Sequence, residues 1–292
     1  MISPPELILD AKADLGEGPA WEPEAACLYW VDIHAGRLHT FNPGDGSDRS
    51  IELGEYLGCA APRRKGGLVL GLRSGFATLE LSSNKLVHLV NPEPQLHGNR
   101  FNDGKCDPAG RFLAGSMDDA EIEASGSLYS LNPDGSVKTL LTGTRIANGL
   151  AWSPDTRTFY FIDTPIRSVM AYDYDLASGA IANPRLVISV PPALGWPDGM
   201  TSDSEGQLWV AMWGGAKLTR WNPGSGELIE VIPFPALNVS SCAFGGPHLT
   251  DLYVTSARKE MDAGSLAKYP LSGGLFRLRT NIEGQPTCAF AG

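Results

Sequence analysis

The chain has 292 residues, 42% of them hydrophobic and 9% aromatic, and its 33 acidic residues against 23 basic ones give a net charge of −10 at pH 7. No stretch approaches the ~18 consecutive apolar residues of a membrane-spanning helix, which argues against a membrane protein. The acidic balance argues against a nucleic-acid partner, because phosphate binding needs a concentrated basic face.

The N-terminus, residues 1–6, carries no basic residue before its first apolar run and no signal-type stretch, so a cytoplasmic location is expected. From there, short β-type runs rich in aromatic and branched residues recur along the chain. Six of them, at 28–32, 68–72, 112–116, 160–164, 208–212 and 252–256, open at Leu28, Leu68, Phe112, Tyr160, Leu208 and Leu252. Their spacings of 40, 44, 48, 48 and 44 residues are what four antiparallel strands with their turns consume in one propeller blade. Each is followed by a second run, at 37–41, 76–80, 127–131, 169–173, 218–221 and 275–278. Turn signals built on Pro and Gly close several of these hairpins, as at 42–46, 132–135 and 222–226. No sustained helical periodicity interrupts them. The pattern predicts an all-β fold, a six-bladed β-propeller with four antiparallel strands per blade, forming one domain over residues 1–292. Residues 8–13 (Ile8 to Ala13) are expected to supply the outermost strand of the last blade and so close the ring without a free edge.

The five cysteines, Cys27, Cys59, Cys106, Cys242 and Cys288, form no CxxC pair and read as free buried thiols. The five histidines are too scattered to suggest a cluster, and Trp196 and Trp213 suit either a pocket wall or packing between blades, with packing the default for large aromatics.

The run before each anchor should be the innermost strand, bordering the central channel. Four of these runs carry an oxygen-bearing side chain next to glycine: Glu17-Gly18, Asn102-Asp103-Gly104, Asn148-Gly149 and Asp198-Gly199, placed 11, 10, 12 and 10 residues before their anchors. Each dipeptide alone would also suit a tight turn. Recurrence at equivalent repeat positions instead predicts oxygens converging at one mouth of the channel, an array suited to a cation. Glu17 and Asp198 would neutralise a divalent ion, with amide oxygens from Asn148 and, as a further candidate, Asn102. Ca²⁺, Mg²⁺ and Mn²⁺ suit such ligands, and Zn²⁺ and Fe²⁺ are compatible with them.

At these residues a resemblance becomes specific. Leu15-Gly16-Glu17-Gly18-Pro19-Ala20-Trp21, Asn99-Arg100-Phe101-Asn102-Asp103-Gly104-Lys105, Ile146-Ala147-Asn148-Gly149-Leu150 and Pro197-Asp198-Gly199-Met200 resemble motifs of the senescence-marker-protein, gluconolactonase and regucalcin family. The similarity continues through Phe244-Gly245-Gly246-Pro247 and the 253–258 run ending at Arg258, covering nearly the whole chain in order. The resemblance implies a six-bladed propeller that hydrolyses a small sugar lactone with one divalent cation, with no protein partner evident. It implies metal ligands Glu17, Asn148 and Asp198, substrate contacts from Arg100 and Asn102, and Asp198 as general base. A further acidic substrate contact is implied shortly after Gly115-Ser116-Met117, where Asp118, Asp119 and Glu121 are all candidates and Asp119 and Glu121 are favoured. No GxSxG, HExxH or GxGxxG is present, which weighs against serine-hydrolase, zincin and dinucleotide chemistry. Two rival functions share the fold: a non-catalytic calcium-binding or protein-interaction propeller, and a metal-dependent aryl or phosphate esterase.

Overall fold

The computed structural model describes residues 2–292, and its strands form six four-stranded antiparallel sheets arranged as the blades of a propeller. The innermost strands are Gly16–Glu22, Leu57–Pro62, Asn99–Cys106, Ala147–Trp152, Trp196–Ser202 and Asn238–Gly245, in blades 1 to 6. Next to them lie the six anchor strands, including Leu68–Leu72 in blade 2 and Leu208–Trp213 in blade 5.

The unbroken apolar character of the anchors has a direct cause: both faces of the strand are buried, one against each neighbouring blade. In Leu68–Leu72, Leu68, Leu70 and Leu72 join the cluster shared with blade 1, while Val69 joins the cluster shared with blade 3. In Leu208–Trp213, Leu208, Val210 and Met212 face blade 4, and Trp209 and Ala211 face blade 6. The period-2 alternation of a strand thus feeds two cores at once. Outermost strands such as Ser47–Glu52 and Lys85–Val90 meet solvent and are mixed in polarity.

Ring closure follows the expectation in kind but not in extent. The closing strand is Glu6–Leu9, pairing with Leu275–Arg279, rather than residues 8–13. Lys12 takes a left-handed φ of 53°, and Ala13 is already buried where the chain turns inward toward the first innermost strand. One short helix, Ala263–Lys268, interrupts the strand pattern in blade 6, capped by the Asp262 carboxylate accepting from the Ser265 amide. No helix among the described residues is long and apolar enough to cross a membrane.

Every innermost strand carries a register shift, falling between Glu17 and Ala20, Leu57 and Cys59, Phe101 and Gly104, Asn148 and Leu150, Pro197 and Met200, and Val239 and Ser241. Bulges of this kind bend a strand and re-aim side chains. The Asn-Gly and Asp-Gly pairs are therefore mid-strand bulges, not turns. Glycine is needed there because the strands crowd around the axis: a Cβ on Gly58 would lie 2.3 Å from the Phe101 carbonyl oxygen and 2.9 Å from the Asn102 nitrogen. Gly58→Ala is expected to lower stability by about 1–3 kcal/mol, the usual range for overpacking. Urea unfolding checks this, and a variant as stable as wild type would contradict the tight contact between blades 2 and 3.

Candidate metal and substrate site

The bulges bring Glu17, Asn148 and Asp198, from blades 1, 4 and 5, into one cavity of about 360 Å³ at one mouth of the channel. Leu15, Arg100, Asn102, Glu121, Arg145, Thr164, Trp196, Trp213 and Lys259 share its lining. This size lies within the usual range for small-molecule sites.

Glu17 and Asp198 are both buried, 5% and 4% exposed, although neither has a salt-bridge partner among the described residues. Burial first, and then the charge of Asp103, push the Glu17 carboxyl up to about 8. Asp198 is pushed well above the carboxylate range by burial and then by Glu17 and Asp103, while Lys259 pulls the other way. Two like charges held together out of water are unfavourable unless a cation or protons offset them. The donors are all oxygen, two carboxylates and an amide, while no group of three or more His, Cys, Asp or Glu placed to hold a metal occurs among the described residues. Glu17, Asn148 and Asp198 therefore fit a hard or intermediate divalent cation.

These shifts set a pH dependence. In the metal-free protein the folded state holds protons on Glu17 that the unfolded chain has lost above its ordinary value of 4.5. Stability from this group is thus present below that value and is lost as pH rises toward about 8. The melting temperature of chelator-treated protein is expected to fall across this window and to rise on addition of a divalent cation at pH 8. A flat profile in chelator would contradict the buried-carboxylate account.

Arg100 is 3% exposed and organises the wall. Its Nε donates to Asp119 Oδ1 at 2.8 Å, and its Nη1 donates to Asn102 Oδ1 at 2.6 Å and to the Phe101 carbonyl at 3.1 Å. Asn102 Nδ2 donates in turn to the Ala147 carbonyl and to Asn148 Oδ1, both at 3.0 Å. Asn148 Nδ2 donates to Thr164 Oγ1 at 2.9 Å, whose hydroxyl donates to the Pro197 carbonyl at 2.9 Å. The donors fix both amide orientations. Each amide oxygen accepts one bond, Asn102 Oδ1 from the Arg100 guanidinium and Asn148 Oδ1 from the neutral Asn102 amide, so the oxygen beside the fixed positive charge is the poorer partner for a cation.

The three acidic candidates after Met117 separate cleanly. Asp118 accepts from the amides of Ala120, Ile122 and Glu123 and shapes the loop. Asp119 holds Arg100 and lies 3.7 Å from Arg73, outside the cavity lining. Glu121 lines the cavity and forms an ion pair with Lys259.

Sequence reasoning missed Lys259 and Thr164 as cavity residues and left the two tryptophans unassigned between a pocket wall and blade packing; both line the cavity. Trp196 and Trp213 are register partners on adjacent strands, and the Arg167 guanidinium lies 3.4 Å from the Trp196 ring centre. Trp196 directly precedes the Pro197-Asp198-Gly199 motif and Lys259 directly follows Arg258, so adjacency to the motifs was the available signal.

The description "SMP-30/Gluconolactonase/LRE-like region" matches residues 15–258. A Bacillus subtilis (strain 168) protein, YvrE, which carries a provisional sugar lactone lactonase name, is 38% identical over 286 residues, 98% of each chain. Regucalcin of Danio rerio is 38% identical over 292 residues, again 98% of each chain. In structure, the chain is similar to a regucalcin of Agrobacterium tumefaciens str. C58, described as a calcium-binding protein, with a TM-score of 0.94 and 27% identity over 98% of this chain and 97% of that one. With the propeller and these matches in agreement, the chain belongs to the SMP-30/gluconolactonase/LRE-like family.

Proposed function

We propose that this protein hydrolyses a sugar aldonolactone, of a pentose or hexose, to the open aldonic acid, using one divalent cation held by Glu17, Asn148 and Asp198. The observation that carries the reading is a pair of buried, mutually repelling carboxylates beside a buried arginine network in one cavity. When bound, the cation would polarise the lactone carbonyl, stabilise the developing oxyanion and lower the pKa of a water.

The chain's own residues supply the remainder. Arg100 is the cationic wall, and its Nη2 donates to no protein atom among the described residues, leaving it for a ring hydroxyl. Asn102 has both amide hydrogens committed, so its work is to position Arg100 and Asn148. Asp198 is the candidate base, taking the attacking water's proton on an oxygen not committed to the metal. Ligation weakens a carboxylate as a base, so the two roles compete. Glu121 contacts substrate from the rim, and Asp119 acts through Arg100.

The cation-bearing Arg100 beside the carboxylates favours an enzyme over a purely structural calcium site, which needs no added cation. Acid release from a panel of pentono- and hexonolactones, run beside an aryl ester and a phosphotriester and corrected for spontaneous hydrolysis, tests the reading. Faster turnover of at least one sugar lactone supports it. Exclusive turnover of the aryl ester or phosphotriester moves the assignment to that esterase class, and no turnover moves it to a binding propeller.

A further inference from the structure

The motif residues form the floor of the cavity, but a pair outside them crosses its mouth. Glu121 belongs to the loop after Phe112–Asp118 in blade 3, and Lys259 follows Asp251–Ala257 in blade 6. Blades 3 and 6 face each other across the axis of a six-membered ring. The two side chains nevertheless form an ion pair, and both line the same cavity as Glu17, Asn148 and Asp198. The pair bars the mouth.

Both ends are held by backbone. The Lys259 amide donates to the Asp14 carbonyl at 2.8 Å, and its carbonyl accepts from Asn238 Nδ2 at 3.1 Å. Arg258 fastens the same segment through Nε to the Ser272 carbonyl at 2.8 Å. On the far side, Asp118 accepts from the amides of Ile122 at 3.0 Å and Glu123 at 3.1 Å, fixing a turn in which Glu121 takes a left-handed φ of 61°. Such a conformation is uncommon for a residue with a side chain and marks a constrained position.

The chemistry of the pair is that of a clamp. An ammonium carries three donors and no acceptor, while a carboxylate carries acceptors only. Held together, they offer a donor beside an acceptor, which matches neighbouring hydroxyls in both senses, whereas an unsubstituted lactone has acceptor oxygens only and leaves the carboxylate unmatched. Lys259 is 17% exposed, and Glu260, with its carboxylate 3.6 Å away, keeps the ammonium at the rim. Trp196 and Trp213 line the same cavity and add apolar surface to it, with one face of Trp196 covered by the Arg167 guanidinium.

We infer that Lys259, paired with Glu121 across the mouth, is a specificity-determining residue that selects polyhydroxylated lactones over bare ones. This rests on the lactonase reading above. The test compares kcat/KM for glucono-1,5-lactone and for δ-valerolactone, which share a ring size, in wild type, Lys259→Met, Lys259→Arg and Glu121→Gln. The ratio of the two values is expected to fall by about tenfold or more in Lys259→Met, as for a site that loses a hydroxyl partner. The fall should appear mainly in KM for the hydroxylated lactone, with most of the ratio retained in Lys259→Arg and a smaller fall in Glu121→Gln. A merely structural residue would lower both substrates together. An unchanged ratio in folded Lys259→Met overturns the clamp and leaves the lactonase reading standing. Should that variant not fold, an unchanged ratio in Glu121→Gln overturns it instead. Hydrolysis of neither lactone by wild type above the spontaneous rate overturns both.

Discussion

Asp198→Asn is expected to lower lactone turnover by roughly 10³-fold or more, because one substitution removes both a carboxylate ligand and the candidate base. The shape of the side chain is preserved, so the bulge at Pro197–Met200 and the contact of Gly199 with Ser241 remain. Stability should move the opposite way from activity. Metal-free Asp198→Asn should melt no lower than metal-free wild type at pH 8, since a buried carboxyl disfavoured by burial and by the Glu17 charge is replaced by a neutral amide. Kinetics, calorimetric metal titration and thermal melting of one preparation check this together. Wild-type metal affinity and turnover would remove Asp198 from the site.

Arg100→Met is expected to lower kcat/KM about 10–100-fold and to destabilise the fold by about 2–3 kcal/mol. That cost lies below the ~3–5 kcal/mol of a fully buried pair because Asp119 is one quarter exposed. Methionine fills the volume but leaves Asp119 without its 2.8 Å partner and Asn102 Oδ1 without its 2.6 Å donor. Asn102 can then rotate, and Asn148 Oδ1 loses the amide that orients it. Urea unfolding with an unchanged m-value, alongside steady-state kinetics, separates the stability loss from the catalytic one. Wild-type KM and kcat would show that Arg100 braces blade 3 without serving the site.

The blades were legible because an anchor strand pressed between two blades must be apolar on both faces, leaving an unmistakable run such as Leu68–Leu72. Glu17, Asn148 and Asp198 were legible for a related reason. Crowding demands glycine at Gly149 and Gly199, and a left-handed φ of 55° favours it at Gly18, so each ligand position is stamped with a neighbouring Gly. Local pattern carried less where a side chain had a choice of partner. Asn102 sits at an equivalent bulge, yet its oxygen turns to Arg100, and only the three-dimensional placement of that guanidinium decides this. Asp118, Asp119 and Glu121 are indistinguishable by type, and their roles separate only once the loop is folded. The Lys259–Glu121 pair joins residues 138 apart in sequence across the channel mouth, and no periodicity records such a contact. The closing strand was placed a few residues late because apolar character continues past Leu9 to Ala11 and Ala13, which pack where blade 6 meets blade 1 without joining the sheet.

The measurement that bears most directly on this account is acid release from the best lactone of the panel, by wild-type protein stripped with chelator and then supplied stepwise with Ca²⁺, Mg²⁺, Mn²⁺, Zn²⁺ or Fe²⁺. Turnover should collapse to the spontaneous rate on stripping and return with at least one cation at about one equivalent. Full turnover by the stripped protein would contradict a divalent cation at Glu17, Asn148 and Asp198 as the centre of the reaction.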